Sequence, residues 1–406
     1  MSYTIETIES GGVTSPQGFR AGGVAAGIKK SGALDIGVLV SESRCAAAGV
    51  FTTNRLKGAS LLTTHRSIQD GYAQAVYVNS GNANACTGDQ GLKDAQAIAR
   101  HIAEKLGLAE NDALPNSTGV IGAFLPMDKV LAGIDALLPN LNREGGADFA
   151  RAMMTTDTVA KFSARKVTMN GKTFTLGASA KGSGMIHPNM ATMLSFISCD
   201  AKLSPQAAST YLREACDQTF NRLTIDGDTS CDDTVLLLAN GASGVEIDPE
   251  GETGEAFANA LNDLCSDMVL RLAHDGEGVT KVAYIKVEGA ASKQDATQVA
   301  KTIAISPLVK TALHGCDPNW GRIINAAGYS GVDLDLDRAD LWLDDIQLFA
   351  NGQPAKFSED AAHQIMLGDE YTFRLALNAG DASDWYITTD FSKEYVDINA
   401  DYRHRT

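Results

Sequence analysis

Ala180-Lys181-Gly182-Ser183-Gly184-Met185-Ile186-His187-Pro188-Asn189-Met190-Ala191-Thr192-Met193-Leu194-Ser195-Phe196 carries the chain from a Gly/Pro-rich polar loop straight into an apolar run, 190–197, that reads as a buried strand. Upstream, 166–169 and 172–176 flank Asn170-Gly171, a hairpin signal because a two-residue turn of this type needs positive φ at both positions. Further back, Ala75–Asn79 reads as a strand, followed by a polar loop and a helix over Gly91–Lys105 with Ile98, Ile102 and Leu106 on one face. Downstream, Ser204 is placed as an N-cap with Pro205 at the first helical position. Thr234–Asn240 then predicts a strand, Glu255–His274 a helix, Val282–Val287 a strand, and Tyr371–Asn399 two or three more strands. Interleaved helices and hairpin-linked strands point to an α/β protein built as a sandwich of sheets and helices, not a uniformly parallel sheet. The segment 181–191 is the one seam the sequence marks.

Composition narrows the function. The 406 residues can bury a large core, and 44% hydrophobic with 21% charged residues is ordinary for a globular protein. A formal charge of −16 argues against nucleic acid as a partner. The longest uninterrupted apolar stretches, such as Val235–Ala239, fall far short of the roughly 20 residues a membrane span needs. The N-terminus lacks the basic start and apolar run of a secretory signal, so a cytoplasmic location is expected. Seven scattered cysteines without a C-x-x-C pair read as buried free thiols, neither a disulfide framework nor a zinc site.

The usual motifs are absent. There is no phosphate-binding G-x-x-x-x-G-K-[ST], the glycine runs at 22–27 and 182–187 misspace the dinucleotide fingerprint, and no histidine sits in a zinc spacing or beside a G-x-S-x-G elbow. The acidic stretch 226–233 has Cys231 and Leu237 where a calcium loop needs glycine and a carboxylate, so it reads as a turn. Two segments carry chemistry. In Asn116-Ser117-Thr118-Gly119, a hydroxyl beside a glycine N–H can donate two hydrogen bonds to a developing oxyanion, although an isolated Ser-Thr-Gly is ordinarily a plain turn. At Ala191-Thr192, cutting the preceding peptide bond would free an α-amine, with a pKa of roughly 7.7–8.0, to take the proton from the threonine hydroxyl.

These segments together resemble the ornithine acetyltransferase (glutamate N-acetyltransferase) family. The motifs are NSGNANACTG at 79–88, NSTGVIG at 116–122, MTTDT at 154–158 and KGSGMIHPNMATML at 181–194, then DGDTS at 226–230, DGEG at 275–278, CDPNWGRI at 316–323 and NADY at 399–402. The resemblance implies an α/β layered sandwich of two β-sheets between helices, similar to N-terminal-nucleophile hydrolases but differently connected. It implies self-cleavage between Ala191 and Thr192 into an α fragment (1–191) and a β fragment (192–406), which stay together in a dimer or higher assembly of αβ units. Thr192 would then take acetyl from N-acetylornithine, releasing ornithine, and pass it to glutamate. Thr118 and Gly119 match the oxyanion pair; Thr155, Lys181, Thr192, Glu277, Asn399 and Thr406 match substrate-contacting positions, with Thr156 and His404 as one- or two-residue alternatives. No metal or organic cofactor is implied, and some members also accept acetyl-CoA. At 231 and 232 the chain carries Cys and Asp where the pattern has Thr and Asn.

Lysine suits a substrate carboxylate, and glutamate suits an ammonium group or proton transfer. The nearest rival is a self-processing aminopeptidase or amidase of similar architecture, whose second fragment more often begins with serine. A rival of another class is an intact, non-catalytic binding protein.

Overall fold

At the Asn170-Gly171 turn both residues have positive φ, 50° and 75°, and the flanking strands pair from Met169 with Lys172 outward. The computed structural model in which this is seen describes residues 3–187 and 193–401; Ala191, Thr192, His404 and Thr406 lie outside the described residues. The described residues divide into two compact units, one within 3–221 and 228–272, the other 222–227 with 273–401.

The first unit holds strands β1 (Tyr3–Thr7), β2 (Phe19–Val24), β3 (Ile36–Phe51), β4 (Tyr72–Asn82), β5 (Ala113–Val120), β6 (Lys161–Met169), β7 (Lys172–Lys181) and β8 (Leu194–Cys199). The short β9 (Leu223–Thr224) belongs to the second unit, and β10 (Thr234–Ala239) returns to the first. Their order is β1-β6-β7-β8-β10-β3-β4-β5, with β2 paired to β3; β8–β10 and β4–β5 are parallel in an otherwise antiparallel sheet. Its helices are α1 (Ala59–Ser67), α2 (Gly88–Leu106), α3 (Met127–Leu137), α4 (Gly146–Met153), α5 (Pro205–Gln218) and α6 (Glu252–His274), the last as far as Leu272.

Alternation in the strands explains why helices cover both faces. Ile36, Val38 and Val40 of β3, with Ala75 and Tyr77 of β4, pack on Ile98 and Ile102 of α2 and Ile134 of α3. Leu39, Val76 and Val78 point the opposite way, onto Phe149 and Met153 of α4. Each such large apolar side chain withdrawn from water contributes about 1.5–3 kcal/mol. The expected cap is present, Ser204 Oγ accepting from Ala207 N–H at 3.1 Å ahead of Pro205.

The second unit has a mixed sheet ordered β14 (Gln353–Pro354), β13 (Ile346–Ala350), β12 (Asp340–Leu343), β15 (Glu370–Ala376), β11 (Val282–Ala290), β16 (Ala382–Thr389), β9. Ala283, Ile285 and Val287 of β11 pack on Val299 and Ile303 of α7 (Lys293–Ala304), with α8 (Pro307–His314), α9 (Trp320–Gly328) and α10 (Glu359–Met366) closing the same core.

The α/β class with two sheets and their helices is therefore as the resemblance implies. The stretch Tyr371–Asn399 supplies two strands as expected, β15 and β16, and then ends in a helix, α11 (Lys393–Ala400), with Ser392 Oγ accepting from Tyr395 N–H at 3.2 Å. One expectation is corrected. The segment 181–191 does not separate compact units, since β7 and β8 on either side of it are neighbours in one sheet. All seven cysteines are free, and Cys86 alone is exposed. Among the described residues no helix is long and apolar enough to cross a membrane.

Candidate active site

The parallel pairing of β4 and β5 sets Ser80 beside Thr118 and Gly81 beside Gly119. Gly119 has φ +133°, and a Cβ on it would lie 2.4 Å from the Gly81 carbonyl carbon and 2.5 Å from the Asn82 nitrogen. Only glycine fits there. The polar residues of the 79–88 motif build the support. Ser117 Oγ donates to Asn79 Oδ1 at 2.7 Å, and Asn79 Nδ2 to the Asn82 carbonyl at 2.8 Å. Ser80 Oγ donates to the Ala152 carbonyl at 2.5 Å, and Asn84 Nδ2 to the Gly91 carbonyl at 3.0 Å. All four donors are buried, so their role is to hold the backbone around Thr118 and Gly119.

Lys181, the last residue of β7, brings its Nζ to 3.4 Å from Thr118 Oγ1. As donor it fills an acceptor site on that hydroxyl and leaves the O–H proton to point elsewhere. Asp157 ties the neighbouring backbone together. Its Oδ2 accepts from Thr155 N–H at 2.9 Å, while Oδ1 accepts from Gly182 N–H at 2.8 Å and from Lys161 Nζ at 2.6 Å. Burial alone would raise the Asp157 pKa, but the charges of Lys161 and Lys181 and these hydrogen bonds outweigh it and hold the group at about 2. Asp157 is thus a fixed anion among cations. Half-buried Lys29 belongs to the same field: burial lowers its pKa to about 8 against the attraction of Asp35 and Asp157, with Lys181 adding to the lowering.

Adjacent strands put Lys181 beside Leu194 and Leu194 beside Thr234. Thr234 N–H donates to the Met193 carbonyl at 2.9 Å, and Met193 is the residue that follows Thr192 in the chain. Just before β10 come Asp232 and Asp233, both buried, each with a carboxyl oxygen that has no hydrogen-bond partner among the described residues. Burial pushes Asp232 up to about 7 against smaller lowering influences from Cys231 and Lys181; burial and the charge of Asp232 push Asp233 well up too.

In the second unit Asn399 Nδ2 donates to Glu277 Oε2 at 2.7 Å. Gly278, at φ +65°, makes this possible, because a Cβ there would meet Ser392 Oγ at 2.5 Å and Tyr395 N at 2.6 Å. The loop lies against the start of α11, whose last turn carries Asn399.

Comparison with known proteins adds to this geometry. Residues 20–404 match the ArgJ family. The chain belongs to the ArgJ family. Curated ArgJ relatives include the "Arginine biosynthesis bifunctional protein ArgJ" of Symbiobacterium thermophilum, 48% identical over 97% of this chain and 99% of that protein. The protein of the same name from Dehalococcoides mccartyi is 42% identical over 99% of this chain and 100% of its own length. Among solved structures, the Bacillus halodurans ArgJ is 44% identical, covering 47% of this chain and 100% of that chain with a TM-score of 0.44. A Mycobacterium tuberculosis ornithine acetyltransferase complexed with ornithine is 42% identical, covering 46% of this chain and 100% of that chain, also with a TM-score of 0.44.

Of the ArgJ-type site residues read from sequence, the structure brings Thr118, Gly119 and Lys181 together and fastens Thr155 to Gly182 through Asp157. Glu277 and Asn399 meet each other in the second unit. Ala191, Thr192 and Thr406, with His404, fall outside the described residues. Thr155 and Thr156 are both half-buried, and the Asp157 bond is to the Thr155 backbone, so both side chains stay in play. Sequence reasoning missed the Asp157–Lys161 ion pair, although an acid and a lysine four positions apart beside MTTDT were the signal. It also missed the buried carboxyls of Asp232 and Asp233.

Proposed function

We propose that this ArgJ-family chain is an ornithine acetyltransferase of arginine biosynthesis, moving acetyl from N-acetylornithine to glutamate through an ester on Thr192. Scission of the 191–192 bond frees the Thr192 α-amine, which takes the hydroxyl proton as Oγ attacks the acetyl carbonyl. The Thr118 hydroxyl and Gly119 N–H receive the oxyanion; the proton passes to the departing nitrogen, and ornithine leaves. Glutamate's amine then attacks the ester by the reverse path, giving N-acetylglutamate. Lys181 pairs with the carboxylate common to donor and acceptor, while Glu277 with Asn399 serves an ammonium group. The scheme uses no metal and no organic cofactor.

The observation that carries the reading is the Lys181–Thr118 contact beside the glycine-only position 119, with Lys181 on the strand that pairs with the one beginning two residues after Thr192. Relatives named bifunctional support a second acetyl donor, for which we propose acetyl-CoA, and the motif set supports a cytoplasmic assembly of paired fragments. The test is glutamate acetylation with N-acetylornithine as donor, followed together with acetate release. Stoichiometric transfer supports the reading; acetate without N-acetylglutamate would make the protein an amidase.

A further inference from the structure

A cleft of about 450 Å3 opens in the first unit between the chain that follows β1 and the start of α4, lined by Ile8, Thr14, Ser15, Arg143, Glu144 and Phe162 among others. One wall is the N-terminus of α4, where Gly145 and Gly146 supply no side-chain cap. The first N–H groups of a helix have no partner within it, so this end presents donors and a partial positive charge. Asp148, the acidic residue of the first turn, accepts instead from Arg151 Nη1 at 2.7 Å. Thr14 stands over the same turn. It is only 8% exposed, and its hydroxyl has no hydrogen-bond partner among the described residues. Its Oγ1 is the atom that a Cβ on Gly146 would strike first, at 2.6 Å. A hydroxyl so buried and left unbonded is an open position for an acceptor in the cleft. Ser15 Oγ accepts from Gly12 N–H at 3.0 Å, which leaves its own proton to give. Arg143 adds a guanidinium that pairs with no carboxylate among the described residues, on a chain of net charge −16.

Donors and positive charge converging at one end fit a carboxylate. Beside them Glu144 carries the opposite sign, which repels a simple anion and attracts an ammonium group. Ile8 and Phe162 supply apolar surface. A carboxylate with an ammonium group next to it and an apolar body is an apolar α-amino acid. We propose that this cleft binds a free α-amino acid with an apolar side chain. The α4 N-terminus, Thr14 and Arg143 hold its carboxylate, and Glu144 holds its ammonium group. None of these residues belongs to the acetyl-transfer machinery proposed above, so the inference does not depend on that reading. The far end of α4 does touch it: the Ala152 carbonyl accepts from Ser80, the residue paired with Thr118, so one helix of eight residues separates the two places.

The test is calorimetric titration of the full chain, at low salt, with L-leucine, with isocaproate (leucine without its amine) and with L-leucinamide (leucine without its carboxylate). In the parent, leucine should bind at a single site with a Kd on the order of 1 mM or below, and each truncated probe about tenfold more weakly. Thr14→Val and Arg143→Ala should each raise the Kd for leucine about tenfold, the equivalent of one lost hydrogen bond to a charged group. Glu144→Gln should weaken leucine by a similar factor and leave isocaproate no weaker than in the parent. Thr14→Val keeps the side-chain shape, and Arg143 and Glu144 are exposed, so all three variants retain the fold. No saturable binding of leucine by the parent, or a Kd unchanged in all three variants, would overturn the site. Isocaproate binding as tightly as leucine would overturn the amino-acid assignment.

Discussion

Thr118 illustrates what one hydroxyl is asked to do. Thr118→Val keeps the shape and removes the donor, so kcat should fall by about 10²–10³ with little change in KM for N-acetylornithine; steady-state kinetics decides, and a change confined to KM would move Thr118 from the oxyanion to substrate binding. Asp157 is different, since it serves structure first. Asp157→Asn removes the carboxylate charge paired with the fully buried Lys161 ammonium and should cost about 3–5 kcal/mol in urea unfolding. Asp232 makes a pH prediction. An unfolded aspartate ionises near ~3.9, whereas burial holds Asp232 at about 7. Between those values the folded state keeps a proton that the unfolded chain has released, so stability falls as pH rises from about 4 to about 7 and then levels. Asp232→Asn removes that fall. The variant should melt above the parent at pH 8, by an amount on the order of a few kcal/mol, and the gap should shrink toward pH 5; a gap independent of pH would show that Asp232 does not titrate there.

Elements explain why some of this was legible and some was not. The hairpin at Asn170-Gly171 and the Ser204-Pro205 helix start are local, written in adjacent residues, and the structure has both. The row Lys181, Leu194, Thr234 depends on strand order, which no local pattern encodes. The cleft at the start of α4 was invisible for the same reason, because only the fold brings Thr14 to Gly146. The helix α11 went unread because its one local signal is the Ser392 cap, and Val396 on it is 63% exposed, so no buried stripe marks it. That element carries its own prediction. Gly278→Ala drives a methyl group into Ser392 and Tyr395, so the loop must part from α11 and Glu277 from Asn399. KM for glutamate should rise several-fold with the first unit's chemistry unchanged; a KM equal to the parent's would remove the Glu277–Asn399 pair from substrate binding.

For the whole molecule, composition excluded polyanions and membranes but said nothing of acetyl transfer; that reading came from motifs spread across the chain. The fold adds a reason for their spread. The sequence before and after 191–192 contributes to one sheet, with β7 and β8 hydrogen-bonded neighbours, so two fragments joined in this way would share a core. The most direct measurement is the intact mass, under denaturing conditions, of the parent and of Thr192→Ala after incubation with N-acetylornithine. The account predicts two chains in the parent, the second beginning at Thr192 and carrying one acetyl group, and a single unacetylated chain in the variant. An uncut full-length chain that acetylates glutamate at the parent rate would contradict it.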